Sequence, residues 1–594
     1  MSPAYIGEIA LTSQPPSSTD PALSLVRFPG GQFGSQAGVD VHTDRNLICM
    51  ARGQARFDGA TTVSPTQAAN WLTRFREHGA HALHTVTGRF SVVVIDTQMR
   101  SVWMASDRFA TWPICYRATS LHFGFADRAD AVPGSSGKLS AQSIYDYLFF
   151  HAIPAPETIF DDIHRLPAAH QLRWADGKLS IEPWWSPVFD EKAAPDFEDA
   201  KRQFLQIIES GVRRDTVDGN TGAFLSGGTD SSTVSGMLCR IQGQAARTYS
   251  IGFDANGYDE MEYARLAARH FGTDHHEYYV TPDDLLDGIP RVATHYDQPF
   301  GNSSAVPAWI CARKAREDGI TKLLAGDGGD ELFGGNVRYS KQRVFEHYGK
   351  LPGSLRRFAL EPLLSLPGMN HIPGIKKGVS YVEQAKVPLP DRLQMYNLLL
   401  RLGAADVLEP EFLASIDQDE PFAAQRRVWQ TVEGGGLINH MLALDWKYTL
   451  ADNDLPKVIG TTQLAGVAVD FPLLSDELLQ FSLSIPPEWK VKGVTLRWFF
   501  KEALRGFLPD EIITKKKHGF GLPFGVWACQ HEGLRDMART ALGSFRQRGI
   551  VRAGFIDTLI NTHLPAHPGY YGEMVWILMM MEFWMQSHSA SNTR

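Results

Sequence analysis

The stretch Ala223-Phe-Leu-Ser-Gly-Gly-Thr-Asp-Ser-Ser232 constrains this chain more than any other. Ala223, Phe224 and Leu225 read as the end of a buried strand, and Thr233 to Arg240 has helical spacing, with Val234, Met237 and Leu238 on one side. A strand that turns through glycines into a helix aims backbone N–H groups and the positive end of a helix dipole at one spot, which suits a phosphate or pyrophosphate. Gly227 and Gly228 let the backbone approach the anion, and Ser226, Ser231 and Ser232 add hydroxyls. Asp230 would repel phosphates unless a cation stands between them, and magnesium is the natural cation. The G-x-x-x-x-G-K-[ST] pattern of kinase-type loops is absent, so a different nucleotide chemistry is expected.

A second glycine loop follows about a hundred residues later. Thr321-Lys-Leu-Leu-Ala-Gly-Asp-Gly-Gly-Asp-Glu-Leu-Phe-Gly-Gly335 runs from a strand into a turn carrying Asp327, Asp330 and Glu331. Between the two lies the strand Arg247-Thr-Tyr-Ser-Ile-Gly-Phe-Asp254. Units in this order predict an α/β domain with a parallel sheet. His275 and His276 are adjacent on a strand and point to opposite faces, so a shared metal is not expected.

Ser-Gly-Gly-Thr-Asp-Ser-Ser matches the pyrophosphate loop (PP-loop) of ATP pyrophosphatases, and the chain resembles the asparagine synthetase superfamily. Enzymes of that group split ATP between the α and β phosphates, adenylate a carboxylate and let an amine displace AMP. The resemblance implies phosphate contacts at Leu225, Ser226, Gly227, Gly228, Asp230, Ser231 and Ser232, and adenine held by the main chain of Ser250, Ile251 and Gly252. It places Gly326 and Asp327 near the pyrophosphate and makes Asp230 and Asp330 the magnesium ligands. Tyr296-Asp-Gln-Pro-Phe-Gly-Asn-Ser-Ser304 resembles the segment lining the carboxylate and amine pocket, where Tyr296 and Asp297 either position the amine or form a capped loop. Ile513-Thr-Lys-Lys-Lys-His-Gly-Phe520 resembles the loop with a catalytic lysine; the matching position is Lys517, or Lys515 or Lys516 if the loop is shifted.

Residues 1–190 alternate short strands with turns, as in Phe90-Ser-Val-Val-Val-Ile-Asp96. With Ala105-Ser-Asp-Arg108, Pro113-Ile-Cys-Tyr116 and Ile153-Pro-Ala-Pro-Glu-Thr-Ile-Phe160 they resemble the superfamily's glutaminase domain, which implies an αββα sandwich of the N-terminal-nucleophile hydrolase type. That glutaminase uses an N-terminal cysteine. Here the sequence reads Met1-Ser-Pro-Ala, and the family's Arg-Gly-Pro-Asp loop is not recognisable, so an inactive relic is expected. β-Lactam synthetases and lasso-peptide macrolactam cyclases also lack this nucleophile. A turn-rich linker precedes a synthetase domain spanning 195–594, mostly helical from 340 to 590 apart from proline-rich joints around 362 to 390.

One more departure bears on substrate. Ile459-Gly-Thr-Thr-Gln-Leu-Ala465 and Ala468-Val-Asp-Phe-Pro-Leu-Leu-Ser475 replace charged positions of asparagine synthetases with apolar or sign-reversed ones. Either the substrate is not aspartate, or the segment is a repacked structural one.

The expectation is therefore an ATP- and magnesium-dependent amide- or lactam-forming ligase, acting on a small molecule or peptide with a carboxylate and an amine. Ammonia-dependent asparagine synthesis and a silent nucleotide-binding scaffold are the alternatives. A net charge of −8 without a basic run excludes a general nucleic-acid binder. Five scattered cysteines suit a reducing cytoplasm. Tyr570 to His588 is apolar but contains Glu573 and Glu582, so a buried helix is expected there and no membrane span. A homodimer or a biosynthetic partner protein remains open.

Overall fold

The computed structural model describes residues 2–11, 22–36, 39–58, 66–192, 195–217, 219–349, 352, 375–516 and 521–589. In the N-terminal region, a pair of six-stranded antiparallel sheets lies face to face. The period-2 alternation of the strands decides the layers. Ile48, Met50, Val93, Ile95 and Met104 of one sheet meet Tyr5, Ile9, Phe33, Phe123 and Phe125 of the other. The residues between them in sequence, Cys49, Ala51, Val92, Val94 and Trp103, point outward and pack on Trp71 and Leu72 of the helix Gln67–His78. On the far side Ile6, Cys115 and Ala126 share a core with Ile144 and Leu148 of the helix Ala141–Phe150. The result is the expected helix–sheet–sheet–helix sandwich.

Asp196 opens the synthetase region by capping the helix Phe197–Asp215, its side chain accepting from Asp199 N–H at 2.9 Å. Phe204, Ile208 and Val212 bury its apolar stripe. A five-stranded parallel sheet follows, in the order Asp274–Val280, Arg247–Phe253, Thr221–Phe224, Lys322–Leu324, Ala468–Asp470. Both glycine loops leave the carboxyl ends of its central strands, where ligands of such sheets bind. The segment around residue 470, which departs from the asparagine synthetase pattern, supplies the edge strand. Asp470 there accepts from Lys322 and Arg89, so this edge also joins the sandwich to the sheet.

His275 and His276 sit on the strand Asp274–Val280. His275 Nδ1 is 3.0 Å from Thr248 Oγ1, while His276 stacks on Tyr249 and faces Asp318 at 2.9 Å. The two rings face different partners. Beyond the sheet the described residues are mostly helical, apart from the short hairpin Val491–Lys492 with Thr495–Leu496, and they end in Pro568–Ser589, whose residues Met574 to Met581 and Trp584 are buried. Glu582 lies inside this helix paired with Arg548 at 3.0 Å. Among the described residues no helix is long and apolar enough to cross a membrane.

Candidate active site

The first glycine loop is fixed from both sides. Leu225 N–H donates to Tyr249 O at 2.9 Å, and Ser250 Oγ donates to Leu225 O. Ser231 Oγ accepts from Ser226 N–H at 3.1 Å and lies 3.0 Å from Ser226 Oγ. Gly227 takes φ +70°, and a Cβ there would collide with the Ala264 nitrogen, so no larger residue fits. The helix Thr229–Gln242 then begins at Gly228 with no side chain capping it, leaving its first turn to an anion. The second loop closes against the first: a Cβ on Gly329 would collide with the Asp230 carboxylate.

Together they line a cavity of about 440 Å³, within the usual range for small-molecule sites. Leu225, Ser226, Asp230, Ser231, Ser250, Ile251, Gly326, Asp327 and Asp330 all border it. Gly227, Gly228, Ser232 and Gly252 do not; Gly252 packs against Asp259 and Tyr279. Asn302 and Ser304, the far end of the 296–304 segment, reach the same cavity.

Three charged residues at this site are additions to the sequence-based set. Arg497 comes from 267 residues away and places one guanidinium nitrogen 2.6 Å from Asp230 Oδ2 and 2.7 Å from Asp330 Oδ1. The two expected magnesium ligands are thus gathered around a single cationic nitrogen. Arg497 is 8 % exposed and holds the left-handed backbone region at φ +52°, a conformation that costs a non-glycine residue about 1 kcal/mol. Nothing in Val-Thr-Leu-Arg announces this, because the contact is wholly long-range. Lys457 and Asp454 pair at 2.7 Å across one helical turn, and this Asp-x-x-Lys spacing was the one legible cue. Desolvation pushes the Asp327 carboxyl up to about 6, with Lys457 pulling it down and Asp454 pushing it further up.

Tyr296 and Asp297 lie elsewhere, on a cavity of about 350 Å³ between the sandwich and the synthetase region. Tyr296 Oη donates to Lys457 O at 3.2 Å, and its ring stacks on Phe300. Burial raises its pKa, with Asp297 adding to the shift. Asp297 accepts from Arg165 at 2.9 Å and from Ala129 N–H at 2.7 Å. Arg52 and Asp127 pair there at 2.7 Å, and Ser2 stands at the rim. Lys517 lies outside the described residues. Of its neighbours, Lys515 pairs with Glu260 at 3.1 Å and sits over the Tyr263 ring.

Residues 204–586 match the family described as asparagine synthase, and residues 52–185 match the glutamine amidotransferase domain. Over 542 residues the chain is 22% identical to asparagine synthetase (glutamine-hydrolyzing) 1 of Bacillus subtilis, strain 168, an alignment covering 90% of this chain and 83% of that protein. It is 23% identical over 452 residues to asparagine synthetase (glutamine-hydrolyzing) 3 of the same organism, covering 73% and 67%.

Proposed function

The chain belongs to the asparagine synthase family of ATP-dependent amide-forming ligases, and from that premise we propose that it joins a carboxylate to an amine through an acyl-adenylate, without a glutaminase of its own. The observation that carries this is the acidic cavity at an uncapped helix N-terminus, with Asp230 and Asp330 gathered on one cation.

The main chain from Leu225 to Ser231 would receive the phosphates, and Ser250 and Ile251 the adenine. A substrate carboxylate oxygen attacks the α-phosphorus as the bond to the β-phosphate oxygen breaks and pyrophosphate leaves toward the helix N-terminus. The amine then attacks the acyl carbon, AMP departs, and a proton is released from the nitrogen. Arg497 is placed to balance charge as pyrophosphate forms. By resemblance Lys517 would neutralise the phosphates and the tetrahedral intermediate.

The residues present fit magnesium. Asp230 and Asp330 offer hard oxygen donors and already share a cation, and Mg²⁺ is usually held by one or two carboxylates plus phosphates. Bound there, it would neutralise the triphosphate.

Support for a missing glutaminase comes from the thiols of the sandwich. Cys49 and Cys115 are both fully buried, and burial pushes the Cys115 thiol up to about 12, so neither is a nucleophile. The amine would be free ammonia, a second substrate, or an amine on the same molecule. In the last case the product is a lactam or macrolactam. A cytoplasmic location and a homodimer or biosynthetic partner complete the proposal.

ATP–pyrophosphate exchange with magnesium, screened against carboxylates, peptides and a metabolite extract, tests it. Exchange that depends on one acid and vanishes in Asp230→Ala is expected. AMP and product formed by Asp230→Ala at the wild-type rate would refute the assignment.

A further inference from the structure

Residues Asp445–Asp454 form an i→i+5 segment between the regular helices Leu437–Leu444 and Leu455–Ala465. Such geometry is uncommon and recurs at functional sites because it reorients side chains within a helix. Here it runs past three neighbouring spaces. Asp454 borders the nucleotide cavity and also a second cavity of about 220 Å³, which Tyr448, Thr449 and Asn453 line together with Arg338. Tyr448 in turn borders a groove of about 440 Å³ walled by Trp185, Trp446, Pro156, Pro187 and Pro421. The Phe150 and Tyr448 rings, stacked 5.0 Å apart, stand at the boundary between the second cavity and the groove and line both.

Two donors at the small cavity are unsatisfied. Arg338 Nε and Tyr448 Oη are both buried without a hydrogen-bond partner. The rest of Arg338 is held by Asp445. A buried N–H or O–H without a partner costs about 1–3 kcal/mol, a penalty that a ligand oxygen would remove. A hydrocarbon chain offers neither donor a partner, whereas a carbonyl or second carboxylate oxygen accepts from both an N–H and an O–H.

We propose that the acyl donor lies along this segment. Its reacting carboxyl sits at the Asp454 end of the nucleotide cavity, a carbonyl-bearing unit fills the small cavity beside Arg338 and Tyr448, and an apolar extension passes the Phe150–Tyr448 stack into the groove. The substrate class is a peptide-like carboxylic acid with an aromatic or aliphatic tail. The assignment rests on the adenylation reading for the direction of the reacting end.

Photolabelling tests it without ATP or turnover. The full-length protein is irradiated with N-(4-benzoylbenzoyl)-Ala-Gly, whose carboxylate is free, and adducts are mapped by peptide mass spectrometry. Expected are adducts within residues 420–431 and 443–452, suppressed by excess N-benzoyl-Ala-Gly. Ala424→Trp, which narrows the groove from the helix Glu420–Gln430, should lower labelling at least fivefold while ATP binding persists. Labelling elsewhere, labelling that the competitor does not suppress, or labelling indifferent to Ala424→Trp overturns the groove. Acid-dependent pyrophosphate exchange without groove labelling would sink this inference and keep the adenylation reading; groove labelling with no exchange for any acid would keep the groove as an acid-binding site and sink the adenylation reading together with the direction of the reacting end.

Discussion

The helix Leu455–Ala465 has a cavity on each side, and the two are built on opposite electrostatic plans. Lys457 and Val458 look into the nucleotide cavity, while Leu455, Pro456, Ile459, Gly460 and Gln463 look into the interdomain one, as the 3.6-residue period requires. Among the described residues lining the first, Asp230, Asp327, Asp330, Glu331 and Asp454 stand against Lys457 alone, with Arg497 reaching in behind. Those lining the second include Arg52, Arg128 and Arg165 against Asp127, Asp297 and Asp452. There Arg52 pairs with Asp127, Arg165 with Asp297, and Arg128 with Asp130. The set is balanced, and one of its pairs, Arg165–Asp297, ties the sandwich to the synthetase region. An acidic excess beside an anion-binding helix end makes sense only when cations arrive with the ligand.

The largest effect is expected at the unbalanced cavity. Asp230→Ala should lower ATP–pyrophosphate exchange about a thousandfold, the scale seen on removing one charge-stabilising group, with the circular dichroism spectrum unchanged. Loss of fold together with activity would instead make Asp230 a structural residue like those across the helix.

Arg497→Met comes next and breaks the comparison from the other direction. It leaves Asp230 and Asp330 facing each other, and removing one member of a buried pair costs about 3–5 kcal/mol. Denaturant unfolding without nucleotide should show this loss, and magnesium should restore some of it by standing in for the guanidinium. The matching change across the helix, Asp297→Ala, strands Arg165 and should lower stability similarly, with no response to magnesium. A magnesium response in both, or in neither, would erase the distinction.

A smaller effect is expected from pH. The Asp327 carboxyl titrates near 6 in the folded protein against an ordinary value of 3.8, so between those limits the folded state holds more protons. Its contribution to stability therefore falls as pH rises through that window and is flat above about 7. The stability difference, wild type minus Asp327→Asn, should decline from pH 4 to 6.5 in thermal unfolding of the nucleotide-free protein. A difference that rises over the same range would place Asp327 in a stabilising pair.

The contrast also explains what the sequence could say. Both glycine loops and the sandwich strands were legible because their signals are local: glycines at a strand–helix junction, and alternation over five or six residues. Asp230, Ser231 and Asp327 follow from the same local spacing. Arg497 does not, since its position depends on a left-handed residue packed across the fold. Nor does the separation of Tyr296 from Ser304, eight residues apart in one segment yet on different cavities, because the helix Leu455–Ala465 that divides them comes from a distant stretch of the chain. Ionic character was readable; pairing was not.

Tyr296 offers the finest test. The resemblance puts this phenol beside the reacting amine, whereas in the structure it donates to the carbonyl of Lys457, near the start of the helix that carries the Lys457 ammonium. Burial raises its pKa, so the hydroxyl keeps its proton and serves as a donor. Tyr296→Phe removes this donor, which is shared between the Lys457 and Pro456 carbonyls, and leaves the ring against Phe300, so a loss of about 1 kcal/mol is expected. If the hydroxyl only seats the helix, exchange should stay within threefold and the KM for ATP should shift slightly, through Lys457. A tenfold fall in the rate of amide formation with unchanged pyrophosphate exchange would mean that the amine reaches Tyr296. The interdomain cavity would then belong to the reaction, and its balanced charges would be the walls of a path for the second substrate.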